Sequence, residues 1–426
     1  MSTREITVAS LAVDGGAPAV VRPVPVWPVV GDLEAAWMEA VVRSGQWSWL
    51  GAHETAFCNE FRKFTGSQYC LALANGTVTL QCALQAVGVE PGDEVIVPGL
   101  TWCATAQAAI DVGATVVFAD IDLETLQLDP KALAKAVTPR TKAVIPVHLY
   151  GCMCDMDAIM AIARQHKLKV VEDAAHQHGS RWRNRGAGAI GDAGSFSFQQ
   201  SKTLTCGEGG AVTTSDEEVY KIVFALKQVG WGPDGKPANR YGHNYRITEM
   251  QAVLLRGGLT RLTEQIRVRE ESAALIREGL ARLGGPLRAA RRDPRVTRQA
   301  YYAMTLCYDP RKAGGLPRAA YLAAIGAEGC PLTGTYWPVY SAPLLNLYDR
   351  TSPVPYRKGV RSQDYRNLKL PHTEKAANET AVVLPHSHLL GPREYMAELL
   401  QAVDKVNHAL PKVAAWWRQK EAAKPR

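Results

Sequence analysis

The sequence of 426 residues lacks several patterns that mark broad classes of protein. Its nine cysteines include no C-x-x-C pair and lie mostly in apolar contexts, so we expect neither a metal site nor a disulfide framework. The N-terminus has no basic start followed by an apolar run, and the glycine-rich motif of nicotinamide-binding folds is missing. These absences predict a cytoplasmic protein with reduced cysteines and argue against a dehydrogenase.

Long apolar runs and clustered charge are also scarce. The longest uncharged stretch, 71–89, is interrupted by asparagine, threonine and glutamine, which argues against a membrane span. The net charge of +8 favours anionic partners. Because the basic residues are mostly dispersed and no zinc-finger or RNP-like pattern occurs, we expect a small phosphate- or carboxylate-bearing ligand rather than nucleic acid.

Short apolar runs alternate with segments of helical period from about residue 54 onward. This alternation predicts right-handed β-α-β crossovers and a mostly parallel sheet, which binds ligands beyond the carboxyl ends of its strands. The predicted strands are 70–74, 94–97, 115–119, 142–147, 168–172, 194–198 and 210–214. The predicted helices are 77–88, 103–112, 130–136, 155–166, 215–228 and a long helix over 248–283, interrupted at Gly257-Gly258.

The second part of the chain predicts a smaller α+β region. Its expected elements are a strand at 301–308, a helix at 318–328 and a final helix at 392–409. We expect an ordered loop facing a site at 331–356, and disorder at 1–10 and 420–426. The predicted divisions are an N-terminal segment (1–30), a large domain (31–260) and a smaller C-terminal domain (261–426).

Two motifs place polar groups at predicted strand ends. In the run LANGTVT, Gly76 permits close approach of a ligand, Thr77 offers a hydroxyl, and free N–H groups at a helix start suit a phosphate. The alternative is an ordinary turn and helix cap. The run VVEDAAH ends a buried strand in two carboxylates, of which Asp173 is better placed for a ligand. A solvated strand end is the alternative there.

A third motif surrounds a lysine. Lys202 lies in the run SFSFQQSKTLTCGEGG, among apolar and hydroxyl residues and before a glycine turn. Such surroundings lower the pKa of an amine and permit a Schiff base, although a lone loop lysine is more often simply solvated.

In this order, the three motifs resemble the fold-type I enzymes that use pyridoxal 5′-phosphate (PLP), and specifically the DegT/DnrJ/StrS aminotransferase family. The resemblance covers about residues 25 to 410 and includes GDEVIVP with Thr101-Trp102, PVHLYG, EDAAHQHG, SFSFQQSK with GEGG, and Asn244-Tyr245-Arg246. It implies an α/β fold with a mostly parallel central sheet, a smaller α+β C-terminal domain, and PLP-dependent aminotransferase activity.

The resemblance also implies roles for single residues. Lys202 would hold PLP as a Schiff base and move a proton, while Asp173 would keep the pyridine nitrogen protonated. Trp102 would stack on the ring, unless it packs in the core, and His176 would lie near the ring hydroxyl. The implied phosphate contacts are Gly76, Thr77, Ser197 and, from a neighbouring subunit, Asn244. A homodimer with shared active sites follows from the last contact.

Several features favour one branch of the family. A histidine in place of Lys202 would be typical of the PLP-dependent sugar dehydratases, so the lysine favours transamination. Residues 44–47, 199–202, 294–302 and 309–316 are similar to aminocyclitol aminotransferases, which transfer the amino group of L-glutamine to scyllo-inosose or 2-deoxy-scyllo-inosose. This implies glutamine or glutamate as donor, a cyclitol ketone as acceptor, and antibiotic biosynthesis as the setting. The alternatives are a sugar-nucleotide aminotransferase and a catalytically silent PLP-binding regulatory protein.

Four further residues are candidates for substrate contacts. Tyr340 stands where relatives carry a histidine after Pro-Val, and His386 lies near the C-terminal substrate loop. Both would line the acceptor pocket, with ordinary packing as the alternative. Arg246 or Arg298 would bind the donor's α-carboxylate as a bidentate pair, or each would make a structural ion pair.

Overall fold

The computed structural model describes residues 10–345 and 364–423. Its strands are β1 (Tyr69–Leu73), β2 (Glu94–Pro98), β3 (Thr115–Ala119), β4 (Thr141–Val144), β5 (Lys169–Asp173), β6 (Arg181–Trp182), β7 (Arg185–Gly186), β8 (Ala193–Ser197), β9 (Gly210–Thr214), β10 (Leu287–Ala289), β11 (Val296–Arg298), β12 (Ala303–Tyr308), β13 (Thr333–Gly334) and β14 (Ala381–Pro385). Its α-helices are α1 (Asp32–Ser44), α2 (Ala52–Thr65), α3 (Gly76–Ala86), α4 (Cys103–Asp111), α5 (Pro130–Ala136), α6 (Met156–His166), α7 (Glu217–Lys227), α8 (Glu249–Leu283), α9 (Arg318–Ala327), α10 (Pro371–Lys375), α11 (Arg393–Asn407) and α12 (Leu410–Ala422).

A seven-stranded sheet forms the centre of the molecule, in the order β1-β9-β8-β5-β4-β2-β3. All seven strands coincide with predicted apolar runs. Within this sheet β9 is antiparallel to both of its neighbours, and the other strands run in one direction. The α/β fold with a mostly parallel central sheet is therefore confirmed. The carboxyl ends of β1, β2, β5 and β8 meet at one edge.

The long helix α8 contains 35 residues and is not interrupted at its glycine pair. It begins at a capping box between Thr248 and Gln251. A Cβ at Gly257 would lie 2.4 Å from the Glu34 side chain, and one at Gly258 would lie 2.8 Å from Leu204. The predicted interruption is wrong because these glycines serve close packing. Since α8 also runs unbroken through residue 260, the domain division there stays a prediction.

The smaller C-terminal part contains a four-stranded antiparallel sheet in the order β10-β12-β14-β13. Helices α9, α11 and α12 pack with it around a separate apolar core. Helix α12 follows the helix predicted to be the last, so residues 420–422 are helical rather than disordered. The three-stranded sheet β11-β6-β7 was not predicted.

The N-terminal segment packs on this smaller part. The buried Glu328 carboxylate accepts hydrogen bonds from the Ala12 and Ala19 N–H groups and pairs with Lys405 at 2.8 Å. The predicted loop contains β13 within 331–345, and its remainder, 346–356, lies outside the described residues. The same is true of the predicted tails 1–9 and 424–426. Among the described helices, none combines the length and apolar character needed to cross a membrane.

Candidate active site

A cavity of about 660 Å³ opens at the carboxyl ends of β1, β2, β5 and β8. This is the edge at which a parallel sheet is expected to bind ligands, and the volume suits a cofactor with a small substrate. The predicted cofactor residues that line it are Gly76, Thr77, Trp102, Asp173, His176, Ser197 and Lys202. They derive from separate parts of the sequence, and the fold brings them to one place.

Asp173 ends β5 and is 6% exposed. One carboxylate oxygen accepts a hydrogen bond from the Thr105 hydroxyl at 2.8 Å, and the other accepts from the Ala175 N–H at 3.2 Å. Burial raises the pKa of Asp173, while these hydrogen bonds and the charge of Lys202 oppose the rise. The carboxylate is thus fixed in position and suited to a cationic N–H partner.

Lys202 lies in the loop between β8 and β9, and its amine faces the cavity. Burial lowers its pKa to about 8, although the negative charge of Asp173 acts in the opposite direction. The nitrogen lies 4.7 Å from the centroid of the Tyr302 ring. An amine with this pKa is partly neutral near pH 7, which is the form that attacks a carbonyl carbon.

His176 is buried and stacked on Tyr302, with ring centroids 3.8 Å apart. Its Nδ1 accepts a hydrogen bond from the Tyr150 N–H at 3.2 Å. Burial holds the pKa of His176 well below its ordinary value, and Lys202 adds to the effect. The ring is therefore neutral, with its proton on Nε2, and can donate that proton's hydrogen bond to a ligand oxygen.

The start of α3 forms the polar end of the cavity. A Cβ at Gly76 would lie 2.7 Å from the Cβ of Ser197, so only glycine fits this approach of helix and strand. The Asn75 side chain accepts hydrogen bonds from the Thr77 and Val78 N–H groups. The expectation that these N–H groups are free is wrong, because the N-cap already uses them. The Thr77 and Ser197 side chains remain at the cavity wall.

Trp102 precedes α4 and is 49% exposed at the cavity. Its ring centroid lies 5.5 Å from that of Tyr336 and 6.4 Å from that of Trp337. The alternative of core packing does not apply to this side chain. An exposed aromatic face at the cavity is available to a planar ring.

Asn244 and Arg246 do not line the cavity. Asn244 is exposed, and its side-chain oxygen accepts a hydrogen bond from the Arg246 N–H at 3.4 Å. The Arg246 guanidinium donates to Gln228 at 3.2 Å and lies 4.8 Å from the Trp49 ring. Both residues therefore belong to a surface away from the chain's own cavity.

Arg298 and Tyr340 also lie outside this cavity. Arg298 donates to the Gly179 carbonyl at 2.6 Å and lies over Phe64, which is a structural role. Tyr340 donates to the Glu374 carboxylate at 3.1 Å and lines a second cavity of about 540 Å³.

His386 is buried behind the cavity rather than in its wall. It contacts the loop that carries Lys202, because its Nε2 lies 2.9 Å from the Ser201 carbonyl oxygen. The sequence prediction of an acceptor-lining role is not supported by this placement. The structural contact is instead with the lysine loop.

Three residues at the cavity were not assigned a role from the sequence. Thr105 holds Asp173, Tyr302 packs between Lys202 and His176, and Tyr336 closes the side next to Trp102. Thr105 lies one helical turn after Trp102, so its position near the site had a weak sequence signal. Tyr336 lies in the loop predicted to face a site, and Tyr302 ends the run 294–302, but neither signal singled out the individual side chain.

Comparison with known proteins gives matches that extend over almost the whole chain. The profile of the DegT/DnrJ/EryC1/StrS aminotransferase family matches residues 29–395. An L-glutamine:2-deoxy-scyllo-inosose aminotransferase of Streptomyces lividus is 38% identical over 423 residues, covering 93% of this chain and 97% of the relative. A Streptomyces kanamyceticus protein, provisionally named an L-glutamine:3-amino-2,3-dideoxy-scyllo-inosose aminotransferase, is 38% identical over 409 residues, covering 94% and 97%.

A solved structure agrees with these sequence relatives. The crystal structure of 3-amino-5-hydroxybenzoic acid synthase matches with a TM-score of 0.80 at 33% identity, over 92% of this chain and 100% of that one. Fold, motifs and sequence identity thus lead to one conclusion. The chain belongs to the DegT/DnrJ/EryC1/StrS aminotransferase family.

Proposed function

We propose that this aminotransferase uses PLP and transfers the amino group of L-glutamine, or of glutamate, to the ketone of a cyclitol. Residues in two parts of the cavity suit the phosphate and the pyridine nitrogen of PLP. Gly76, Thr77 and Ser197 line one part of the cavity, where hydroxyl groups can bind a phosphate, and the buried carboxylate of Asp173 suits a protonated pyridine nitrogen. Lys202 lines the same cavity, and the charge of Asp173 acts on its amine.

Each residue has a physical task in this proposal. Gly76, Thr77 and Ser197 would hold the phosphate, and Trp102 would cover the ring. PLP, when bound, supplies an electron sink that stabilises a carbanion at the substrate carbon. Asp173 would keep the pyridine nitrogen protonated, which strengthens that sink.

Two residues of the cavity, Lys202 and His176, have pKa values that their surroundings lower, and this determines which of them can move a proton. Lys202, with a pKa lowered to about 8, can release a proton and take one up at neutral pH. The neutral His176 would donate the hydrogen bond from its Nε2 to the ring oxygen and would not take part as an acid. Tyr302, whose ring centroid lies 4.7 Å from the amine, would shield it from bulk water and so keep the proton within the site.

The choice of acceptor rests on the relatives and on the cavity wall. Among the described residues that line the cavity, Lys202 is the single lysine or arginine, and three aromatic side chains make up much of the wall. An uncharged polyol ring can pack its C–H faces on such aromatic rings. The names of the relatives favour a cyclitol over a sugar nucleotide, and the aromatic side chains of the cavity are compatible with it.

The acceptor proposal is tested with purified protein, PLP and L-glutamine. Mass spectrometry would follow the amination of 2-deoxy-scyllo-inosose, scyllo-inosose, 3-amino-2,3-dideoxy-scyllo-inosose and keto-sugar nucleotides. We expect amination of at least one cyclitol, and none by the Lys202→Ala variant. Amination of keto-sugar nucleotides alone would overturn the acceptor class. Bound PLP without reaction with any amino donor would indicate the silent binding protein instead.

We further propose that two copies of the chain share their active sites. Asn244 is exposed and lies outside the chain's own cavity, although the family resemblance gives it a phosphate contact. Large apolar side chains are half-exposed on the neighbouring segments. They are Trp47, Trp49, Leu50, Val229 and Trp231. An exposed apolar surface of this kind is typical of a subunit interface. A second copy would cover it and receive Asn244 at its phosphate.

A further inference from the structure

Arg269 is one of the largest fully buried side chains in the described part of the chain and lies at the middle of α8. In the described part of the chain it makes no ion pair with a carboxylate, and its Nε and Nη1 atoms have no hydrogen-bond partner. Burial lowers its pKa to about 9. A buried guanidinium without an acid carries a desolvation cost, which its position over the Trp27 ring, 5.4 Å from the centroid, offsets in part. This arginine therefore calls for a role other than stability.

Its hydrogen bond leads toward the catalytic lysine. Arg269 Nη2 lies 3.3 Å from Nδ1 of His386, and Nε2 of His386 lies 2.9 Å from the Ser201 carbonyl oxygen. A guanidinium only donates and a carbonyl only accepts. The histidine is therefore neutral, accepts at Nδ1 and donates at Nε2. Burial, followed by the charge of Arg269, lowers the pKa of His386 and keeps this single form.

The same loop is held from other sides as well. The Ser201 hydroxyl lies 3.1 Å from the Tyr302 hydroxyl, and the His386 N–H donates to the Tyr302 carbonyl at 3.1 Å. The indole of Trp27 donates to the Gln200 carbonyl and packs edge-on against the His386 ring, with centroids 4.6 Å apart. His386 thus lies at the junction between α8, the segment after β14 and the lysine loop.

We propose that Arg269 and His386 are positioning residues for Lys202. Arg269 fixes the proton of His386 on Nε2, and His386 anchors the carbonyl of Ser201, the residue directly before Lys202. The direction of this peptide sets where the lysine side chain leaves the backbone and reaches the cavity. The inference rests on the proposed role of Lys202 and adds a mechanism by which a buried cation outside the cavity controls it.

The test compares four variants. Arg269→Met removes the donor to His386, and His386→Phe leaves the Ser201 carbonyl without its partner. His386→Gln is the conservative variant, since its amide oxygen can accept from Arg269 and its N–H can donate to Ser201. Arg267→Met is the matched control, because Arg267 lies one half-turn away on the exposed face and pairs only with Glu264 and Glu271.

Two readouts separate positioning from general stability. In the PLP-free protein, hydrogen–deuterium exchange of the peptide 199–206 should be faster in Arg269→Met and His386→Phe and unchanged in Arg267→Met. In the PLP-loaded protein we expect kcat to fall by about 10- to 100-fold with KM for glutamine almost unchanged, because a displaced reactive group slows the chemical step. His386→Gln should recover most of the loss in both readouts.

Two outcomes would contradict the positioning role of Arg269 and His386. Folded Arg269→Met and His386→Phe proteins with native exchange at 199–206 would overturn the proposal, and so would a His386→Gln protein as impaired as His386→Phe. If Arg269→Met does not fold, the two His386 variants decide alone. The exchange measurement needs no cofactor or substrate, so it tests the positioning role independently. A native protein that fails to attach PLP would contradict the proposed function and would leave the exchange result valid.

Discussion

Lys202 shows how burial alone prepares a side chain for chemistry. The amine lies against apolar and aromatic groups, so its charged form loses hydration and the pKa is lowered to about 8. Asp173 provides one compensating charge, which keeps the shift moderate. A lysine in ordinary surroundings has a pKa near 10.4 and would be almost entirely protonated at pH 7.

This pKa predicts the pH dependence of cofactor attachment. The neutral amine is the reactive form, and its fraction falls about tenfold for each pH unit below the pKa. The rate of covalent attachment of PLP to the PLP-free protein should therefore rise between about pH 6 and 8 and level off above the pKa of about 8. Borohydride trapping at timed intervals, followed by mass spectrometry of the Lys202 peptide, measures this rate. A rate still rising tenfold per unit at pH 9.5 would contradict the lowered pKa.

The positions of Asp173 and Lys202 at the cavity follow the sequence prediction. Their neighbours, apolar strands and glycine turns, left a solvated side chain as the alternative, and the family resemblance implied their roles. At the start of α3 the alternative of a helix cap is confirmed, because the Asn75 side chain takes the same N–H groups that a phosphate would use. Residue type and spacing do not reveal which partner a given N–H group takes.

At the scale of elements, the contact of α3 with β8 shapes the polar end of the cavity. The helix begins at Gly76, directly against Ser197 at the end of β8. Any side chain at the first position would push the helix start away from the strand. This contact therefore determines where Thr77 and Ser197 stand relative to each other.

We predict that Gly76→Ala weakens PLP binding at least tenfold, because the added methyl group would lie 2.7 Å from the Ser197 Cβ. The dissociation constant is measured by titrating PLP against the PLP-free protein and following its absorbance. Gly326→Ala is the matched control, since no atom lies within 4 Å of its added Cβ near the end of α9. Equal affinities in the two variants would contradict the proposed phosphate end.

Elements with a strong period were predictable, and their ends and interruptions were not. The seven strands of the large sheet were found because each contains a short apolar or largely buried run between segments of helical period. The break at Gly257-Gly258 was wrong because a glycine that weakens an isolated helix can stabilise one that another chain segment approaches closely. Helix α12 was not predicted. Pro411 argues against a helix in the sequence, but it lies in the first turn of α12, where proline is tolerated.

At the scale of the whole molecule, the proposed dimer predicts complementation between inactive variants. Lys202→Ala and Asn244→Asp should each be nearly inactive as pure proteins. Mixed after dissociation and reassembly, they should recover about one quarter of native activity, since half of the dimers are hybrids with one intact site. This requires Asn244 to act on the neighbouring subunit's cofactor.

The assay is PLP-dependent loss of glutamine in the mixture, with each variant alone and native protein as references. No recovery in verified hybrid dimers would mean that Asn244 acts within its own chain or not at all. Lys202→Ala mixed with Gly76→Ala is the comparison, because both residues lie in the same cavity and hybrids of these variants contain no intact site.

Long-range arrangement was the least predictable property of this chain. Arg269 and His386 are separated by 117 residues, and nothing in the local sequence of α8 marks a buried, unpaired guanidinium. The contact depends on how α8 and β14 pack on the lysine loop, which is a property of the assembled fold. The sequence singled out His386 but assigned it to the acceptor pocket, and it gave no signal for Arg269.

The continuity of α8 limits how this protein can be recombined with its relatives. The helix extends about 52 Å, with Ile266 in the core of the large sheet and Ile276 in the core of the smaller one. A chimera joined near residue 260 would combine halves of one helix whose two packing surfaces evolved in different proteins. A junction at Gly284-Gly285, immediately after the helix, keeps both surfaces from a single parent.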